Sequence, residues 1–215
     1  MREIIEAILF PEHHKQCALD TTSLDILLET RMANYIMKYF KENTLFVSDE
    51  LSQNLNELLN VNFIRNSIIV TEAYKINLFL NKIGIKHLWL KGVADIHRNV
   101  SLLKYRKLSD VDILTAQHDL VRNELFIKGF NHGVVGTDGE WKEADSNQII
   151  LHEKDHYELF PLTKIITVND LETSLSDKLM NRYRFFKVDD TKYSTDVVID
   201  IHHKSLALHK TEIQY

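Results

Sequence analysis

Arg106-Lys107-Leu108-Ser109-Asp110-Val111-Asp112-Ile113-Leu114 is the stretch that decides the fold. Val111 to Thr115 reads as a short strand. Side chains alternate along a strand, so Asp110 and Asp112 share one face while Val111 and Ile113 point to the core. Two carboxylates on one face repel each other. A divalent cation with a preference for oxygen ligands, such as Mg²⁺, removes that repulsion. Such a site wants a third carboxylate from a neighbouring strand. Asp196-Val197-Val198-Ile199-Asp200-Ile201-His202 offers one. Asp200 has apolar neighbours on both sides, and an acid embedded in a strand needs a partner because an unpaired buried charge is costly.

Outward from these two strands the chain divides by character. Residues 1–83 read as helical. Leu24, Leu27, Leu28, Met32, Ile36 and Tyr39 recur at helical spacing, with Thr22 and Asp25 at capping-box spacing ahead of them. A second stretch starts near Ser48 with Leu51, Leu55, Leu58 and Leu59, and a third carries Ile69, Ala73, Ile76, Leu80 and Ile83 on one stripe, ended by Gly84. Residues 84–215 read as an α/β unit. Strands are expected at Ile85 to Lys91, Val111 to Thr115, Gln148 to His152, Tyr157 to Phe160 and Val197 to His202. Helices are expected over Val93 to Tyr105, Asp119 to Lys128 and from Asn169 to about Lys187. Gly133 to Gly139 reads as a hairpin tip or a surface loop.

Composition bounds the function. The 215 residues are 44% hydrophobic and 27% charged, which excludes a disordered or collagen-like chain. A single cysteine, Cys17, excludes an intramolecular disulfide and fits a reducing cytoplasm; no positive cluster near it makes it a nucleophile. The net charge of −5 supplies no broad basic field, so nucleic acid is a possible but not a favoured partner. No apolar run reaches the roughly 18 residues of a membrane span. Met1 to Phe10 mixes Arg2 with Glu3 and Glu6 and does not read as a signal peptide.

The ordered set Leu90-Lys91-Gly92, Arg106 ahead of Asp110-Val111-Asp112-Ile113-Leu114, and Ile199-Asp200-Ile201-His202 resembles a bacterial nucleotidyltransferase family. That family is the branch of the polymerase-β-like superfamily with Leu-Lys-Gly, Arg-x-x-x-Asp-x-Asp-Leu and Val-Asp-x-His motifs. The resemblance covers about residues 22–206. It implies an α/β (α+β) nucleotidyltransferase fold, a mixed sheet flanked by helices behind an N-terminal helical region. It also implies a nucleoside triphosphate, with ATP the default, and two Mg²⁺ ions at the sheet edge. Asp110, Asp112 and Asp200 match the metal-binding and catalytic carboxylates. Lys91, Gly92, Arg106 and Ser109 fall where the nucleotide would be held, and His202 would border them. Lys91-Gly92 stands where the wider superfamily has Gly-Ser. The implied reaction moves a nucleoside monophosphate to an acceptor, whether small molecule, sugar, peptide or RNA end, and releases pyrophosphate. The alternative is a noncatalytic nucleotide-binding or protein-interaction module of the same fold, suggested by the stop at Tyr215, short of elements that members often carry.

One other motif competes. His152-Glu153-Lys154-Asp155-His156 matches the zinc-peptidase pattern, which needs both His one turn apart on a helix with Glu as base; Glu172 is a conceivable third ligand. The flanking Gln148-Ile149-Ile150-Leu151 and Tyr157-Glu158-Leu159-Phe160 favour strands, so Lys154-Asp155 reads as a hairpin turn instead. His13-His14 reads as solvated loop, and His203 should face away from His202. Trp89 reads as core, and Trp141 is a candidate for stacking on a base. The Asn and Lys of the helical region read as a solvated face.

Overall fold

The computed structural model describes residues 49–203, so the helix expected over Leu24 to Tyr39, the His13-His14 loop and Cys17 lie outside the described residues. The two stretches expected near Ser48 and Ile69 are one helix, α1 (Asp49–Lys82), of 34 residues. Its inward stripe feeds two cores. Leu55, Leu58 and Leu59 pack with Met180, Tyr183, Phe185 and Tyr193. Ile69, Ala73, Ile76 and Leu80 pack with Val111, Ile113, Val197, Ile199 and Ile201. Gly84 takes φ +76° just after the helix, and the Ile85 N–H closes back on Leu80 O at 2.9 Å. The junction expected at 83/84 is thus where helix gives way to strand, and α1 itself packs into the core of the sheet.

The remaining elements are β1 (Leu88–Leu90), α2 (Lys91–Arg98), α3 (Leu102–Tyr105), β2 (Val111–Leu114), α4 (His118–Ile127), β3 (Asn131–Val135), β4 (Trp141–Glu143), α5 (Ser146–Asp155), β5 (Leu162–Asn169), α6 (Asp177–Arg182), β6 (Phe186–Lys187) and β7 (Lys192–His202). The strands form one seven-stranded sheet in the order β1-β2-β7-β5-β3-β4, with β6 also paired to β7. The β2–β7 pair is parallel and the other pairs are antiparallel, so this is a mixed sheet flanked by helices. β7 is its longest strand and pairs with β5 over eight residues. Among the described residues, no helix is long and apolar enough to cross a membrane.

Several expected elements are corrected. The helix expected over Val93 to Tyr105 is split into α2 and α3, because Asn99 turns extended and its side chain accepts from the Ser101 N–H and hydroxyl. Gln148 to His152 is helix, not strand. Asp145 caps α5 by accepting from the Asn147 and Gln148 N–H groups, while the Gln148 side chain accepts from Asp145 N–H. Tyr157 to Phe160 contributes only a bridge, Glu158 to His202. No helix runs from Asn169 to Lys187. β5 stays paired to β7 until Asn169, Asp170 takes φ +56°, and only α6 forms before Arg184 at φ +59° ends it. Gly133 lies within β3, and the turn of the β3–β4 hairpin falls between them. Trp89 is half-buried against the core, its Nε1–H donating to Asn77 Oδ1 at 3.2 Å. Trp141 is engaged inside the hairpin, its ring filling the space that a Cβ on Gly133 would occupy.

Candidate functional site

The parallel pairing of β2 with β7 sets Asp112 directly beside Asp200, with Val111 beside Ile199 and Ile113 beside Ile201. The apolar partners point into the core and bring the two carboxylates together on the other face. Asp112 is 1% exposed. Its Oδ1 meets His202 Nε2 at 2.7 Å and accepts from Lys91 Nζ at 2.5 Å. Burial opposes ionisation of Asp112, but the His202 and Lys91 contacts outweigh it and hold the carboxyl below its ordinary range. Asp200 has no such hydrogen bonds to Lys91 or His202, and only the nearby His202 opposes its rise. Burial, reinforced by Asp110, Glu158 and Asp112, pushes its carboxyl up to about 7. One oxygen on each, Asp112 Oδ2 and Asp200 Oδ1, is buried without a hydrogen-bond partner.

That chemistry fits a hard divalent cation. Buried carboxylate oxygens in register, unpartnered and mutually repulsive, are what an Mg²⁺ ion would satisfy. Asp110 lies just ahead of β2, half-buried, and its charge acts on both Asp200 and Lys91. Of the three expected carboxylates, Asp112 and Asp200 are in register, and Asp110 lies within electrostatic range of Asp200; the three do not each bring an oxygen within 4.8 Å of the others.

The residues expected to hold a nucleotide, Lys91, Gly92, Arg106 and Ser109, line one cleft of about 790 Å³ together with Asp110. Lys107, Arg182 and Arg184 line it as well, so a chain of net negative charge keeps a local concentration of five cationic side chains here. Lys91 begins α2 with φ +47°, a left-handed conformation rare for a side chain of this kind. Arg106 is held by Asp95 of α2 at 2.5 Å. Gly92 leaves room for the neighbouring side chains of Leu108 and Arg106. A Cβ there would stand 2.5 Å from Leu108 Cδ2 and 3.5 Å from Arg106 Nε. His202 is both a hydrogen-bonded strand histidine and a neighbour of the carboxylates, with Tyr157 stacked on it at 5.4 Å.

Sequence reasoning missed the supports beneath the cleft. Asn62 and Asn66 are fully buried on α1, against the expectation of a solvated face. Asn62 donates to Lys104 O and Arg106 O. Asn66 donates to Leu103 O and Arg106 O and accepts from Leu108 N–H. Together they fix the segment that carries Arg106 towards Asp110. Arg65, 1% exposed, donates to Thr195 Oγ1 and Asp196 O, and Asp196 also binds Arg184. Burial pulls the Arg65 guanidinium down to about 10, with Asp196 opposing, so it stays charged at neutral pH.

The second motif lies elsewhere. His152 and His156 are one turn apart at the end of α5, with their rings stacked at 4.2 Å, so the strand context expected for them is overturned. Burial, then His156, hold His152 below its ordinary range. Among the described residues, the three side chains whose ligand atoms all fall within 4.8 Å of one another are His152, His156 and Glu158, with Glu158 in the place imagined for Glu172. Glu153 is bound on both oxygens by Arg122, at 3.1 and 3.2 Å, and accepts from Phe160 N–H. No family model, no curated protein and no solved structure matches the chain.

Proposed function

We propose that the protein is an Mg²⁺-dependent nucleotidyltransferase that moves a nucleoside monophosphate from a nucleoside triphosphate to an acceptor hydroxyl. The observation that carries the reading is the in-register pair Asp112 and Asp200, each with an unpartnered buried oxygen, joined through Lys91 to a cationic cleft. Asp110, Asp112 and Asp200 would hold the metal, which when bound would offset triphosphate charge and favour ionisation of the attacking oxygen.

The chain's own residues account for the rest. Arg106, Arg182 and Arg184 line the cleft as counter-charges for a triphosphate. Lys91 bridges the two halves of the site, because its Nζ sits on Asp112 while the residue also lines the cleft. His202 keeps Asp112 oriented and ionised. Asp200 is the carboxylate beside Asp112 with the least cationic support, so it is the group suited to take the acceptor proton. The acceptor oxygen would bond to the α-phosphorus as the bond to the bridging oxygen breaks, and pyrophosphate would leave with that electron pair. Fixed charges and positioning supply the catalysis.

Calorimetric titration of each NTP, with and without Mg²⁺, tests the reading. Saturable Mg²⁺-dependent binding to wild type that Asp110→Ala/Asp112→Ala lacks is the expected result. Binding without pyrophosphate release across sugars, peptides and RNA ends would leave a noncatalytic nucleotide-binding module. No binding of any NTP by folded wild type would overturn both.

A further inference from the structure

We infer that His152, His156 and Glu158 form a second metal site, selective for a zinc-class transition ion and separate from the carboxylate site. The donor set is two imidazoles and one carboxylate, the borderline mixture that suits Zn²⁺ and its neighbours rather than Mg²⁺. Two features place the donors. Helical spacing sets His152 and His156 on one side of α5, stacked at 4.2 Å. The bridge between Glu158 and His202 then returns the chain so that Glu158 meets them. All three ligand atoms lie within 4.8 Å of one another. A tetrahedral ion with bonds of about 2.0–2.1 Å brings its ligands to roughly 3.3 Å, so the three donors would draw in from their present spacing on binding.

A further observation points to a ligand. His152 Nε2 is buried and has no hydrogen-bond partner. A buried imidazole nitrogen left unmatched is costly, and a metal bond would satisfy it. Both histidines also line a cleft of about 570 Å³ between α5 and the β3–β4 hairpin, which gives an ion access and leaves room for water as a fourth ligand.

The same geometry separates this site from a peptidase. The motif's general base would be Glu153, but Arg122 occupies both of its oxygens and Phe160 N–H binds one of them. The site therefore holds an ion without the base that would activate water for peptide cleavage. Its ligand Glu158 faces His202 Nδ1 at 3.6 Å, so the ion would pin the segment that packs against the carboxylate site.

The test uses the full chain without an affinity tag. Co²⁺ is titrated and followed by visible absorption, then displaced by Zn²⁺, with calorimetry giving stoichiometry. One equivalent with an intense four-coordinate Co²⁺ spectrum is expected for wild type, for Asp110→Ala/Asp112→Ala and for His13→Ala/His14→Ala. A loss of at least tenfold in affinity is expected for His152→Ala, His156→Gln and Glu158→Gln. Circular dichroism identifies any variant that has unfolded, and the remaining ligand variants then carry the comparison. The inference is overturned if wild type binds no Co²⁺ or Zn²⁺. It is equally overturned if folded ligand variants bind as wild type does, or if the aspartate variant abolishes binding.

Discussion

Asp112 and Asp200 are direct neighbours across the parallel strands β2 and β7, yet Lys91 and His202 both bond Asp112 and neither bonds Asp200. At Asp200 burial and like charges prevail, and its carboxyl rises to about 7. A protein selected for stability alone would place an apolar residue there. Retaining the acid is the kind of local conflict that marks a binding or catalytic site.

The first prediction uses that conflict. Asp200 binds its proton more tightly folded than unfolded. Its contribution to stability is therefore full below its ordinary range near pH 4 and is lost as pH rises towards 7. Above pH 7 the ionised, unmatched carboxylate leaves no such contribution. In metal-free protein, Asp200→Asn should gain progressively on wild type as pH rises, by about 1–2 kcal/mol between pH 5 and pH 8, or roughly 2–8 °C in melting temperature. Mg²⁺ should raise the melting temperature of wild type and not of the variant. Thermal melts across pH 5–8, with and without Mg²⁺, check this; a difference from wild type that does not move with pH would contradict it.

The strands that carry this pair were legible because apolar residues recur at every second position and acids interrupt the run. Val111 and Ile113, then Val197, Ile199 and Ile201, read as core and are core. α5 was misread because Ile149-Ile150-Leu151 resembles a buried strand, whereas Ile150 and Leu151 lie 65% and 63% exposed on a helix. The signal that would have corrected it was Asp145 three residues ahead of Gln148, a capping box. The roles of Asn62 and Asn66 had no local signal at all. Their partners lie 37 to 44 residues along the chain, and nothing near them distinguishes a buried amide from a solvated one.

Asn66 gives the second prediction. Asn66→Ala removes three hydrogen bonds and leaves the Leu103 carbonyl and the Leu108 N–H without this partner inside the fold. Unmatched buried groups cost about 1–3 kcal/mol each, with partial relief from rearrangement. A loss of about 2–4 kcal/mol in urea denaturation is expected. Amide exchange at Leu108 should accelerate more than exchange in β5, because the segment ahead of Asp110 is released while the sheet stays paired.

The ion cluster around Asp196 gives the third. Asp196 is 1% exposed and is shared by Arg65 and Arg184. Arg65→Met removes the fully buried partner and should cost about 3–5 kcal/mol, the usual penalty for breaking a buried pair from one side. Arg184 is 31% exposed on its side chain and also lines the cationic cleft. Arg184→Met should cost less stability and weaken triphosphate binding more. Parallel denaturation and calorimetry on the two variants separate these roles; equal losses in both readouts would show that the two arginines act as one structural unit.

Gly92 gives the fourth, because its need for a bare α-carbon is steric and local. A methyl group there would stand 2.5 Å from Leu108 Cδ2, well inside contact distance, and Leu108 is itself only 3% exposed. Leu108 cannot swing into solvent without leaving a cavity, so Gly92→Ala should destabilise by about 1–3 kcal/mol, the range for overpacking a core. Shortening the opposing side chain should relieve the clash. The double variant Gly92→Ala/Leu108→Ala is expected to be more stable than the sum of the single losses, by at least about 1 kcal/mol. Arg106 also borders the added methyl, at 3.5 Å from Nε. Triphosphate affinity should therefore fall in Gly92→Ala and recover in part in the double variant. Strict additivity of the two losses would mean that Leu108 is not what Gly92 accommodates.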